Sequence, residues 1–158
     1  MKKALAIALT LLVAALAGPT VGGASDTAAA KTYKLIAPMN ARQVVTPNNK
    51  PWQVPAAVSK AKGTFAGKLN SATGKLTWRI TYAGVGNPTL AIADIHSGPP
   101  GKFGPILVRV CSRCKSGQSG VVKVKASAQK AIAAGNSWVT LITEKYPNGV
   151  IRGQIKVG

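Results

Sequence analysis

The sequence predicts an all-β domain, an antiparallel β-sandwich or Greek-key-like barrel of about seven or eight strands. One short helix is expected near 127–134. Three observations carry this prediction. Beyond residue 60, apolar and polar residues alternate with period two, the signature of half-buried strands. The alternating segments are separated by turn-forming stretches such as AGVGNP, SGPPGKFG, CKSGQSG and KYPNG. Only SAQKAIAA has helical character, with Ser127 placed to cap its start and Gly135 to end it in a left-handed conformation.

Taken in order, Tyr33–Lys62 is the least regular segment. Its Pro47, Pro51 and Pro55 predict an edge strand followed by a long loop. GTFAGKL is a strand, and NSATG turns it into the next strand, KLTWRITY, where Leu76, Trp78, Ile80 and Tyr82 share one face. TLAIADIH, PILVRV, VVKVKA, SWVTLIT and GVIRGQIKV supply the remaining strands.

The chain opens MKKALAIALTLLVAALAGPT. Lys2 and Lys3, the apolar run Ala4–Ala17 and the Ala15-Leu16-Ala17 motif predict a secretory signal peptide over residues 1–17, with cleavage after Ala17 as the first choice and after Ala24 as the alternative. The apolar run is shorter than the roughly 20 residues of a membrane-spanning helix. No transmembrane segment is expected after cleavage. Residues 18–30 are small and polar and read as a flexible mature N-terminus, leaving 31–158 as the folded domain. A secreted, periplasmic or cell-envelope location follows.

Lys and Arg number 21 against 3 Asp and Glu, a formal charge of +18 that falls by two when Lys2 and Lys3 leave. Such a field attracts polyanions, so anionic envelope or extracellular polymers are candidate partners. Lys75, Arg79, Lys123, Lys125, Arg152 and Lys156 alternate with apolar residues and are the candidate polyanion-binding side chains. Clustering on one face would mark a binding surface; even dispersal would mark solubility alone. Specific nucleic-acid readout is not expected, because aromatics are sparse and no helix-turn-helix or zinc-finger spacing occurs.

Two clusters hold the remaining chemistry. Cys111 and Cys114 in CSRC admit a local disulfide, a redox pair or part of a zinc site. Export, the preceding strand-like ILVRV and the following turn favour a loop staple. Asp94 and His96, the only histidine, lie two apart on one strand and so share a face. They are a candidate metal pair for copper or zinc, although such sites use three or four ligands. The simpler expectation is an ion pair, Asp94 with His96 or with Arg152.

ADIHSGPPGKFGPILVRVC, AAGNSWVTLIT and NGVIRGQIKV, in this order, resemble the CHRD domain, named for the developmental protein chordin and common in secreted bacterial proteins. The upstream VPAAVSKAKGTFAGKLNSATGKLTWRITYAGV is similar to that family's opening, so the resemblance covers roughly 31–158. CSRC resembles a bacterial subgroup with a C-x-x-C at this place. The family's strand end usually reads H-I-H, a later strand carries a histidine, and the closing strand reads G-E-I-R-G. The resemblance would make these a polar or metal-binding cluster. Here Asp94 replaces the first histidine, Ile142 the later one and Val150 the glutamate, and only His96 is kept. The resemblance implies extracellular protein interactions and nothing catalytic.

No enzyme chemistry is legible. Asp26 lies in the leader-proximal segment, which leaves only Asp94 and Glu144 as acids in the domain. Nucleophile-elbow and glycine-rich phosphate-loop patterns are absent. The leading expectation is therefore an exported, non-catalytic binding or structural module. A metal-binding protein centred on His96, and a redox protein acting through CSRC, are the alternatives.

Overall fold

The structure is a computed structural model that describes residues 30–158. The predicted signal segment, both cleavage sites and nearly all of 18–30 lie outside the described residues. Nine strands form one antiparallel sheet: β1 (Thr32–Asn40), β2 (Lys62–Asn70), β3 (Lys75–Ala83), β4 (Ala91–Ser97), β5 (Ile106–Cys111), β6 (Ser119–Lys123), β7 (Ser137–Thr143), β8 (Tyr146–Gln154) and β9 (Lys156–Val157). Eight follow the order β5-β4-β7-β8-β1-β2-β3-β6, and β9 continues β8 to pair with β1. The sheet curls into a nearly closed barrel of eight strands.

Period-two alternation decides the interior. Leu35, Ala37 and Met39 point inward from β1, Phe65 and Leu69 from β2, and Leu76, Trp78 and Ile80 from β3. Ala93, Ile95, Val139, Leu141 and Ile151 complete the core from the far side. Burying each large side chain contributes about 1.5–3 kcal/mol. Gly120 faces Trp78 across the β3–β6 ladder, and a Cβ there would lie 2.6 Å from the indole. The missing side chain thus makes room for the tryptophan.

The sheet differs from expectation in three places. β1 is an interior strand rather than an edge, with β2 on one side and β8 and β9 on the other. Its alternating burial outweighs the proline-rich signal, which belongs to the loop after it. The last hairpin turns at Glu144-Lys145, so β8 begins at Tyr146 rather than after KYPNG. Pro147 and Asn148 are exposed beside a register shift at Leu141/Thr143, where a missing N–H costs little. The helix α1 (Ala126–Ala133) starts earlier than Ser127 allows. Its N-cap is Lys125, which makes no side-chain cap bond, while Gly135 takes the expected left-handed turn at φ 73°.

β5 and β6 are the two free edges, and the loop joining them closes the gap. Cys111 and Cys114 form a disulfide, S–S 2.05 Å. From this staple Cys114 N–H donates to Ala91 O at the start of β4 (2.8 Å), and its carbonyl accepts from Tyr82 Oη on β3 (2.7 Å). Ser116 Oγ accepts from Tyr82 N–H and donates to Tyr82 O. Burial raises the Tyr82 phenol above its ordinary pKa. CSRC is thus a seam between the edges, far from any helix start that would activate a thiolate.

Candidate functional site

The outer surface of the barrel divides into two unlike faces. The first is built on β4, β7 and β8. Asp94 and His96 share an outward face of β4, and the ladder sets them opposite Thr140 and Trp138 of β7. Thr140 in turn pairs with Arg152, and Trp138 with Gln154, on β8. Asp94, His96, Trp138, Thr140 and Arg152 are all buried although they point away from the apolar interior. Their cover includes the loop between β4 and β5, Gly98–Pro105, which folds back over the face. His96, Arg152 and Gln154 each bond to a backbone carbonyl in it.

Asp94 pairs with neither expected partner. Arg109, its register partner on β5, grips it as a fork: Nε donates to Oδ1 (2.9 Å) and Nη2 to Oδ2 (3.2 Å). The ion pair raises the already high pKa of Arg109. Adjacency across the β4–β5 ladder explains the choice, since Arg152 lies two strands away on β8.

His96 stacks on Trp138, with centroids 4.2 Å apart and planes 8° from parallel. Its Nδ1 lies 2.8 Å from Gly104 O. A carbonyl only accepts, so Nδ1 carries the proton and Nε2 is a bare lone pair, buried and without a partner. Burial lowers the imidazole pKa below its usual 6.5, and Arg152 adds to that against opposing contributions from Gly104 and Asp94. The guanidinium of Arg152 lies 3.8 Å above the Trp138 ring, which therefore has neighbours from both flanking strands. Arg152 Nη2 donates to Lys102 O (2.7 Å), and burial lowers its pKa to about 10. Trp138 Nε1 donates to Ser97 O (3.1 Å).

This geometry bears on the metal candidates. Both Asp94 oxygens are engaged by Arg109 and one imidazole nitrogen by Gly104, so the pair presents only His96 Nε2. Among the described residues no three of His, Cys, Asp and Glu gather into a donor set. By alternation Ile142 shares the face of Trp138 and Thr140, and Val150 that of Arg152. The sites of the missing family histidine and glutamate thus lie on this same face, filled by aliphatic groups.

The second face is bare. Lys156 of β9, Lys34 of β1, Lys62 and Lys68 of β2, Lys75 and Arg79 of β3 and Lys123 of β6 all project outward from adjoining strands and are exposed. Like charges face each other directly at Lys34↔Lys68 and Lys75↔Lys123. Between them lie Ile36 and Val121, 49% and 55% exposed. Among the described residues the acids are Asp94, held by Arg109, and Glu144, which accepts from Thr89 N–H, Thr89 Oγ and Leu90 N–H. Its own backbone N–H first, and then those bonds, lower the Glu144 pKa. Neither acid is on the basic face.

Of the six candidate cations, Lys75, Arg79, Lys123 and Lys156 therefore share this face. Lys125 is exposed beyond it at the start of α1. Arg152 is a correction: it is 3% exposed and belongs to the opposite, covered face, because a loop closes over the side of β8 that alternation left open. Lys34 and Lys68 were missed by sequence reasoning, although KTYKL and FAGKL carry the same alternation. Arg109 was missed too; a lone cation inside ILVRVC was its only signal.

No curated protein and no solved structure matches the chain. The family model for the CHRD domain does, over residues 35–155, which run from β1 to the end of β8 and take in both faces. The chain belongs to the CHRD domain family.

Proposed function

We infer that the protein is an exported, non-catalytic binding module whose bare basic face engages anionic polymers of the envelope or extracellular space. The observation that carries this reading is the convergence of cations from β9, β1, β2, β3 and β6 on one acid-free sheet face. Like charges set opposite one another destabilise a sheet, and a bound polyanion would relieve that repulsion at Lys34↔Lys68 and Lys75↔Lys123. The extracellular character of CHRD domains and the oxidised CSRC pair support export. The CHRD family is not one of known enzymes, and the two acids of the domain are both committed to structural contacts.

The test compares two triple reversals on a soluble polyanion that carries no uronate, a poly(glycerol phosphate). Lys34→Glu/Lys68→Glu/Arg79→Glu removes the face. Lys50→Glu/Lys60→Glu/Lys130→Glu changes net charge equally elsewhere. Wild-type binding weakens steeply with salt, and the face variant loses it while the control retains most. Equal losses in both variants would reduce the basic face to a matter of total charge.

A further inference from the structure

Arg152 is a buried cation without a counter-ion. Its guanidinium rests on Trp138 and gives one hydrogen bond to Lys102 O, while Nη1 is buried with no partner. Buried charges are ordinarily paired, and a guanidinium stays charged. Among the described residues Asp94 and Glu144 are both already engaged, so the fold supplies it no carboxylate.

Arg152 also lines a cleft of about 290 Å³ with Arg42, Val45, Pro51, Pro100 and Gln154. Gln154 commits its amide nitrogen to Gly98 O and Gly135 O, and its Oε1 is buried without a donor. One wall of the cleft thus comes from two residues with complementary unmet needs, a guanidinium whose Nη1 lacks an acceptor and an amide oxygen lacking a donor. Arg42 adds a second positive charge, and Val45, Pro51 and Pro100 add apolar surface. We propose that this cleft binds the carboxylate of a polyhydroxylated acid, a uronate being the type, with Arg152 and Arg42 holding the carboxylate and Gln154 Oε1 accepting from a hydroxyl. Inorganic phosphate would satisfy the arginines but carries no sugar ring to fill the cleft beside Val45, Pro51 and Pro100; a neutral sugar would offer Gln154 Oε1 a hydroxyl and leave both arginines without an anion. The volume suits one sugar ring. A free acid and a uronate borne by a polymer share this chemistry.

Titrating the whole protein with galacturonate, galactose, inorganic phosphate and tri-galacturonate tests the site. The readouts are calorimetry and the NMR shift of the Trp138 indole N–H, assigned with Trp138→Phe. Galacturonate produces a saturable shift, and galactose and phosphate bind at least about tenfold more weakly, the worth of one charge-assisted hydrogen bond. Tighter binding of the trimer assigns the site to a polymer, and equal binding to a single acid; both support it. Arg42→Gln, on an exposed residue, weakens galacturonate several-fold, and Gln154→Glu abolishes binding by like-charge repulsion. Lys34→Glu/Lys68→Glu/Arg79→Glu leaves the shift intact, which separates this site from the basic face. Absence of a saturable shift, equal response to galactose or phosphate, or indifference to both cleft variants would overturn the proposal.

Discussion

The two outer faces of this barrel obey the same strand alternation and end in opposite states. On β2 and β3 the outward positions Lys68, Thr77 and Arg79 are exposed. On β4 and β7 the outward positions Asp94, His96, Trp138 and Thr140 are buried as deeply as the core. The difference is a roof. Where Gly98–Pro105 covers the sheet, side chains are large, stacked and hydrogen-bonded to the loop's carbonyls; where nothing covers it, they are lysines. A barrel therefore has one interior set by alternation, and a second set by whichever loop folds back.

The comparison breaks most readily at Trp138, which both flanking strands use. Trp138→Ala is expected to cost about 3–5 kcal/mol, the range for deleting a buried aromatic. A fall in the urea midpoint measures it, and a cost below about 1 kcal/mol would show that the roof does not hold that face together. Next comes the seam. Cys111→Ser/Cys114→Ser opens a very short loop, whose closure entropy contributes about 2 kcal/mol; thermal melting of the variant against wild type checks it.

Protonation sharpens the contrast further. The His96 pKa is lowered in the folded state, so the stability it contributes is fully present above 6.5, the ordinary imidazole value, and is lost as pH falls through the lowered one. In that range the unfolded chain takes up the proton more readily. Urea midpoints measured from about pH 7.5 to 5.5 should fall with pH in wild type and stay flatter in His96→Phe. The smallest effect belongs to the bare face: Arg79→Glu should change stability by no more than about 0.5 kcal/mol, yet weaken polyanion binding. A large loss of stability there would mean that the face has a structural role of its own.

Much of the fold was legible because the signals were local. Alternation in KLTWRITY and SWVTLIT, turn chemistry in NSATG, and the CSRC spacing in a chain read as exported do not depend on distant residues. The candidate site was only partly legible. Asp94 and His96 share a face as their spacing demands, but their partners are set by register across three ladders. Arg109 reaches Asp94 because β5 pairs with β4, and Trp138 meets His96 because β7 pairs on its other side. Nothing within either segment announces those pairings. Misreading β1 as an edge has a related cause: prolines mark where a strand is unwelcome, not which neighbours a preceding strand acquires.

The sequence by itself determined the strand set, the disulfide, the helix with its glycine stop, the excess of cations and the family. The family rests on the resemblance of several spaced motifs; the rest follow from periodicity, turn preference and composition, which act over a few residues. Tertiary structure alone decided which cations remain in water. Arg79 and Arg152 both alternate with apolar neighbours, but Arg79 lies under open solvent and Arg152 under a loop attached fifty residues earlier at Lys102. Alternation fixes which side of a strand a residue takes, and only long-range packing fixes what that side meets.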